Sequence, residues 1–377
     1  MKKILVFGGT GAIGVYLVNI LSKTGLYEID VTSRSNREST HPCLKYIKGN
    51  ARDNDFMNSL LSEHYDVIID FMNYNLDEFA DRCNYLLSSC GQYVWFSSSR
   101  VYADSETPIT ENSPRLLEVS PDKDFLATNR YALRKARQED LITKSGFVNY
   151  TIIRPYITYS NERLQLGIYE KEQWLYRILQ GRDLVINKSI IDKQTTLTYG
   201  YDVSLAISKL VGNQDAFGKV IQIASSENMT WREILKLYLD ILKEKKNLTP
   251  RIYLSDHMQA IDELYEGGYN TIYDRVYNRH FNSALVNQLT QKDGGISFKD
   301  MRSGLRECLS DFLDNNRKFL RIDWRFEAYQ DVLTGRMAGS EEFNTEEEKE
   351  TYLKYRNMPI SKIEGLNCQL EEILLKI

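Results

Sequence analysis

The stretch "VFGGTGAIG", residues 6 to 14, constrains this chain more than any other. It follows the short apolar, β-prone run "KILVFG" and leads into "GAIGVYLVNILSKTG", whose apolar spacing is helical and stops at Gly25. Gly8, Gly11 and Gly14 stand three residues apart. One such glycine permits a tight turn, one lets backbone approach a pyrophosphate, and one lets helix and strand pack closely. The phosphates then sit on the helix N-terminus, where free N–H groups and the macrodipole favour negative charge. A glycine triplet alone is weak. Between a strand and a helix it predicts a dinucleotide cradle made of Gly8, Gly11, Ala12, Ile13 and Gly14.

The rest of the first half repeats the alternation. "YEIDVTSR", "DVIIDFM", "QYVWFSSS" and "YTIIRPY" read as strands, separated by the helical patterns "DNDFMNSLLSEH", "LDEFADRCNYLLSSC" and "NRYALRKARQE". Strands separated by helices of this length imply right-handed βαβ units and a mainly parallel sheet. The expected fold is α/β: a Rossmann-type doubly wound parallel sheet over residues 1–160, with later segments returning to it. A smaller C-terminal α/β substrate lobe is expected over 161–315 and a helical extension over 316–377. In the lobe, Thr230 and Glu233 form a capping box ahead of "WREILKLYLDILKEK". "GSEEFNTEEEKETYLKY" reads as a solvated acidic helix or a loosely held tail, with no chemistry assigned to it.

Composition narrows the function. A formal net charge of -4 argues against a general nucleic-acid binder, though not against a local basic pocket for a phosphorylated small molecule. The cysteines Cys43, Cys83, Cys90, Cys308 and Cys368 form no C-x-x-C pair, and His41, His64, His257 and His280 have no ligand spacing. A disulfide framework and a metal site are therefore both disfavoured. The N-terminal apolar run is too short for a signal h-region, and no stretch approaches a membrane span. The expectation is a cytoplasmic protein.

Two further places carry chemistry. The second strand ends "VTSRSNR", with Ser33 where an acid would bind the ribose 2′-OH of NAD, and with Arg34 and Arg37 close by. That arrangement favours NADP over NAD. In "NRYALRKARQE", Tyr131 and Lys135 are an i, i+4 pair on one helix face.

Taken together, the N-terminal loop, "VWFSSSRVYAD", the Tyr131–Lys135 pair and "IIRPYITYS" resemble, in order and spacing, the extended short-chain dehydrogenase/reductases of the NAD-dependent epimerase/dehydratase family. The resemblance runs over roughly residues 1 to 315. It implies Ser98 as the catalytic Ser/Thr, Tyr131 as the proton-transferring tyrosine and Lys135 as its partner, which also binds the nicotinamide ribose. It sets Arg154 and Pro155 at the family's Arg-Pro. "KGNARD", which includes Asp53, falls at the adenine-binding segment, with Asn50 replacing the acid and Ala51 after it. A phenol with a pKa near 10 is a poor base at neutral pH, and a nearby ammonium favours the phenolate.

The departures from the family matter too. Ser99 and Arg100 stand where dehydratases carry Asp-Glu, so dehydration is disfavoured. Ile157 replaces an Asn that contacts the sugar diphosphate, and "QTTLTYGYDV" lacks the usual Arg. Ser99, Tyr156, Thr196 and Arg275 are the candidate substrate contacts; Arg275 and Arg279 could meet a diphosphate, although exposed helix arginines are the commoner case. The resemblance implies NAD(P)-dependent epimerisation or ketone reduction on a sugar-like, nucleotide-linked small molecule, with no nucleic acid or membrane partner and a homodimer left open. The alternatives are a reductase of a small non-nucleotide carbonyl compound and a non-catalytic cofactor-binding or RNA-associated scaffold.

Overall fold

The structure, a computed structural model of the chain, describes residues 1–39, 41–255, 268–357 and 371–372. His257 and Cys368 lie outside the described residues. Apolar runs of five to seven residues supply the strands β1 (Lys2–Phe7), β2 (Tyr27–Ser33), β3 (Leu44–Lys48), β4 (Tyr65–Asp70), β5 (Cys90–Phe96) and β6 (Tyr150–Pro155). Helices α1 (Gly14–Lys23), α2 (Asn54–Leu61) and α3 (Leu76–Ser88) separate the early strands. Two four-residue helices, α4 (Leu116–Val119) and α5 (Lys123–Leu126), precede α6 (Tyr131–Thr143).

With the strand Lys219–Ile223 these form a seven-stranded sheet in the order Lys219–Ile223, β6, β5, β4, β1, β2, β3. Every neighbouring pair is parallel. Alternate residues of each strand feed opposite layers. Ile4 and Val6 join one core with Leu17 and Val18, while Leu5 and Phe7 join the other with Phe79 and Trp95. β3 is an addition to the strands read from sequence. It is a half-exposed edge, so its alternation is diluted by polar residues.

The chain divides into two units. The first comprises residues 1–158, 196–227 and 280–299; the second comprises 159–195, 228–279 and 300–377. The return of later segments to the sheet is thus a structural feature. Residues beyond 315 group with the lobe. Within the second unit, strands Leu184–Asn187 and Ile252–Ser255 pair in parallel. The capping box of Thr230 and Glu233 opens the helix Trp231–Lys246. Trp174 stacks on Tyr238 with ring centroids 4.5 Å apart. Among the described residues no helix is long and apolar enough to cross a membrane.

The extension is anchored by buried charge. Arg177, on the helix Lys171–Leu179, pairs with Glu327 at 3.0 Å and Asp331 at 2.5 Å, all three wholly buried. Arg182 reaches Glu327, Asp331 and Glu342 at 2.8–2.9 Å. Tyr352, on the acidic helix Glu346–Arg356, is wholly buried and donates its hydroxyl to Asp331 at 2.7 Å. That helix is therefore solvated on one face and packed through Tyr352 on the other, rather than loosely held. Two guanidiniums here face three carboxylates in a dry interior, and burial, reinforced by the Asp331 charge, pushes the Glu327 carboxyl up to about 7.

Removing one cation by Arg177→Met leaves carboxylates uncompensated and should cost about 3–5 kcal/mol, measured by urea unfolding. Between its ordinary 4.5 and about 7, Glu327 holds a proton in the folded chain that the unfolded chain has released. Its contribution to stability is therefore full below the lower value and is lost as pH rises through the upper one. Thermal melts of Glu327→Gln across pH 4.5 to 7.5 should lack that decline.

Candidate active site

The glycine loop is shaped by two close constraints. Gly8 has φ +70°, a left-handed conformation that a Cβ would strain, and a Cβ on Gly14 would lie 2.7 Å from the backbone of Gly9. Gly11, by contrast, is exposed, with nothing nearer than 3.9 Å to such an atom. Ala12 is exposed beside it, and Ile13 is half-buried at the N-cap of α1. α2 and α3 are capped by the Asp53 and Asn75 side chains; α1 has no side-chain cap and no acidic residue in its first turn. The partial positive charge of that helix end is thus left for an anion, and the cradle fits a pyrophosphate.

A cleft of about 390 Å³ continues from this loop past Thr32, Ser33 and Arg34 to Asn50, Ala51 and Arg52. Arg34 is exposed and Ser33 buried. Ala51 is 5% exposed, and Asn50 accepts from Arg52 N at 3.1 Å. Arg52, passed over in the sequence because it lies in a loop, is held by Glu78 at 2.6 Å and donates to Asn73 O at 2.6 Å. Asp53 caps α2, accepting from Phe56 N at 2.8 Å.

The second cluster lies at the ends of β4 and β5. Ser98, two residues beyond β5, is 6% exposed and accepts from Arg100 N at 3.2 Å. Tyr131 is the first residue of α6, half-buried, with the Arg100 and Arg134 guanidiniums 5.0 and 5.8 Å from its ring centroid. One turn on, Lys135 is 3% exposed. Its Nζ donates to Phe96 O at 2.7 Å and lies 4.4 Å from the Trp95 ring centroid. Burial pushes the Lys135 ammonium down to about 7, against the opposing pull of Asp70.

Arg154 is 4% exposed and forks onto Glu139 of α6 at 2.6 and 2.7 Å, tying β6 to the helix that carries Tyr131. The expected substrate contacts sit differently. Ser99 is fully buried and donates to Arg154 O at 2.9 Å; Thr196 is fully buried and donates to Glu227 O at 3.0 Å. Tyr156 packs on Phe281 with centroids 4.8 Å apart. In the second unit Arg275 is 4% exposed, ion-paired with Asp274 and bonded to Gly167 O at 3.0 Å; Arg279 is wholly buried and bonds Asp274 at 2.9 Å. These arginines are framework cations rather than exposed ones. Sequence reading also passed over Asp70, whose only signal is an acid closing the apolar buried run 67–69.

A sequence profile of the NAD dependent epimerase/dehydratase family matches residues 4–224. The chloroplast stem-loop binding protein of 41 kDa b from Arabidopsis thaliana is 27% identical over 253 residues, covering 62% of each chain. This chain thus spans less than two thirds of that relative's length. NADH dehydrogenase (ubiquinone) 1 alpha subcomplex subunit 9, mitochondrial, from Dictyostelium discoideum is 24% identical over 319 residues, 78% of this chain and 80% of the other. Among solved structures, the UDP-N-acetylglucosamine 4-epimerase of Methanobrevibacter ruminantium superposes with a TM-score of 0.61 at 17% identity, covering 83% of this chain and 99% of that one. The last likeness is one of fold.

Gly14→Ala should force the loop off α1 and lower dinucleotide affinity by about tenfold or more, as titration calorimetry would read.

Proposed function

Because the chain belongs to the NAD dependent epimerase/dehydratase family, we propose that it transfers hydride at a carbinol or ketone carbon of a sugar-like, nucleotide-linked substrate. Tyr131 is its acid/base and NADP its favoured cofactor. The observation that carries this reading is the buried Lys135 one turn from Tyr131, just beyond the same strand end that supplies Ser98. The cradle of Gly8, Gly11, Ala12, Ile13 and Gly14 holds the pyrophosphate, with Ser33, Arg34, Asn50 and Ala51 along the adenosine side. When bound, the dinucleotide supplies the hydride acceptor or donor.

The residues of the chain supply the rest. Ser98 donates to the substrate oxygen and orients it toward the Tyr131 hydroxyl. Tyr131 gives or takes the proton on that oxygen as the carbon changes oxidation state. The Lys135 ammonium, which donates to Phe96 O, would hold the nicotinamide ribose of a bound dinucleotide. Ser99, Tyr156 and Thr196, all buried, belong in this reading to the framework behind the substrate's place. Arg34 meets the 2′-phosphate of NADP, and an NADP preference tilts the reaction toward reduction, since an epimerase regenerates its cofactor.

One observation favours a second reading. The plant relative's name says that it binds stem-loops, and a non-catalytic or RNA-associated role would suit a divergent member. The net charge of -4 and the retained Ser98, Tyr131 and Lys135 count against it. Titration with a stem-loop RNA at rising salt separates the two readings.

Tyr131→Phe should lower turnover by about 10²–10⁴-fold while dinucleotide affinity stays within about twofold; retained turnover removes Tyr131 from its role. Arg34→Ala should weaken NADP about tenfold and leave NAD nearly unchanged in the same binding assay.

A further inference from the structure

The catalytic reading uses Lys135 as a cation, yet the residue is buried, and burial favours the neutral amine. A counter-charge has to oppose that. Asp70, the last residue of β4, is wholly buried. Its Oδ2 accepts from the Tyr93 hydroxyl at 2.8 Å and its Oδ1 from Met72 N at 2.8 Å, so the carboxylate is fixed from both sides. In the sheet Asp70 is registered opposite Trp95, whose ring lies under the Lys135 ammonium, and Tyr93 lies two residues earlier on the same strand face. The register and the cation over the ring set the carboxylate and the ammonium on one layer of the sheet.

We propose that Asp70 is the positioning residue for Lys135: the carboxylate, anchored by Tyr93 and Met72, supplies the counter-charge on the layer of the sheet where the ammonium lies, one turn of α6 from Tyr131. The inference rests on the reading above and adds to it a residue that touches neither substrate nor cofactor. The groups facing the pair are few. Tyr93 from β5, Tyr74 after β4 and Cys83 from α3 surround Asp70, and Arg134 and Glu139 of α6 act on Lys135. Arg134 disfavours the charged lysine and Glu139 favours it, with Asp70 the larger of the opposing influences. Burial likewise pushes Asp70 up, to about 6, while the Tyr93 hydroxyl, Met72 N and Lys135 pull it down. Each member of the pair therefore favours the other's charged form against the burial that opposes both.

The decisive measurement is NMR titration of the lysine side-chain ammonium in the full-length protein without cofactor, in wild type and Asp70→Asn. The Lys135 midpoint should fall by about one pH unit or more in the variant. In turnover, the high-pH limb of kcat should move down by a similar interval. Activity at pH 7.5 should drop about tenfold and recover as pH is lowered, with Asp70→Glu restoring part of it. An unmoved Lys135 midpoint, or a loss of kcat uniform across pH, overturns the proposal. If Asp70→Asn does not fold, Tyr93→Phe weakens the anchor without removing the carboxylate. It should shift the same midpoint downward by a smaller amount, and no shift has the same overturning force. The titration needs no substrate, so its failure stands apart from retained turnover in Tyr131→Phe, which sinks the catalytic reading alone.

Discussion

The winding of the sheet reverses between β1 and β4, and the rest of the first unit depends on that reversal. Strands added after β1 run outward through β2 to β3, and those from β4 onward run the other way through β5 and β6. At the junction the connecting helices diverge, leaving the carboxyl ends of β1 and β4 uncovered by either crossover. Phe7 is registered opposite Asp70 there, and Phe71 N bonds Phe7 O at 3.0 Å. Gly8 and Asp70 thus leave neighbouring strands at one point, the first turning into the glycine loop and the second facing the layer of the sheet that carries Trp95 and Lys135.

This geometry gives the site two electrostatic characters side by side. Toward the glycine loop the field comes from an uncapped helix end and exposed Arg34, both open to water and to an anion. Around Lys135 it comes from buried groups, Asp70 among them. The first kind is screened by salt; the second is set by folding.

The sequence made the sheet legible because its central strands are continuous apolar runs, as buried parallel strands must be. β3 escaped because an edge strand needs only one buried face. Gly8, Gly14, Tyr131 and Lys135 could be singled out because their pattern lies in local spacing. Asp70 could not, since its surroundings depend on which strand lies beside β4. Arg275 and Arg279 look from sequence like surface cations, but their burial, with Arg275 bonded to Gly167 O, is a tertiary event. Tyr352, wholly buried in a helix opening with three glutamates, was masked by its neighbours' charge.

The ionic knot around Arg177 also makes two distant stretches of the sequence depend on each other. Arg177 and Arg182 lie at the start of the lobe, while Glu327, Asp331 and Glu342 arrive some 150 residues later. Neither set is tolerable alone in a dry interior, so a chain cut between them would leave its arginines and its carboxylates each without their counter-charges.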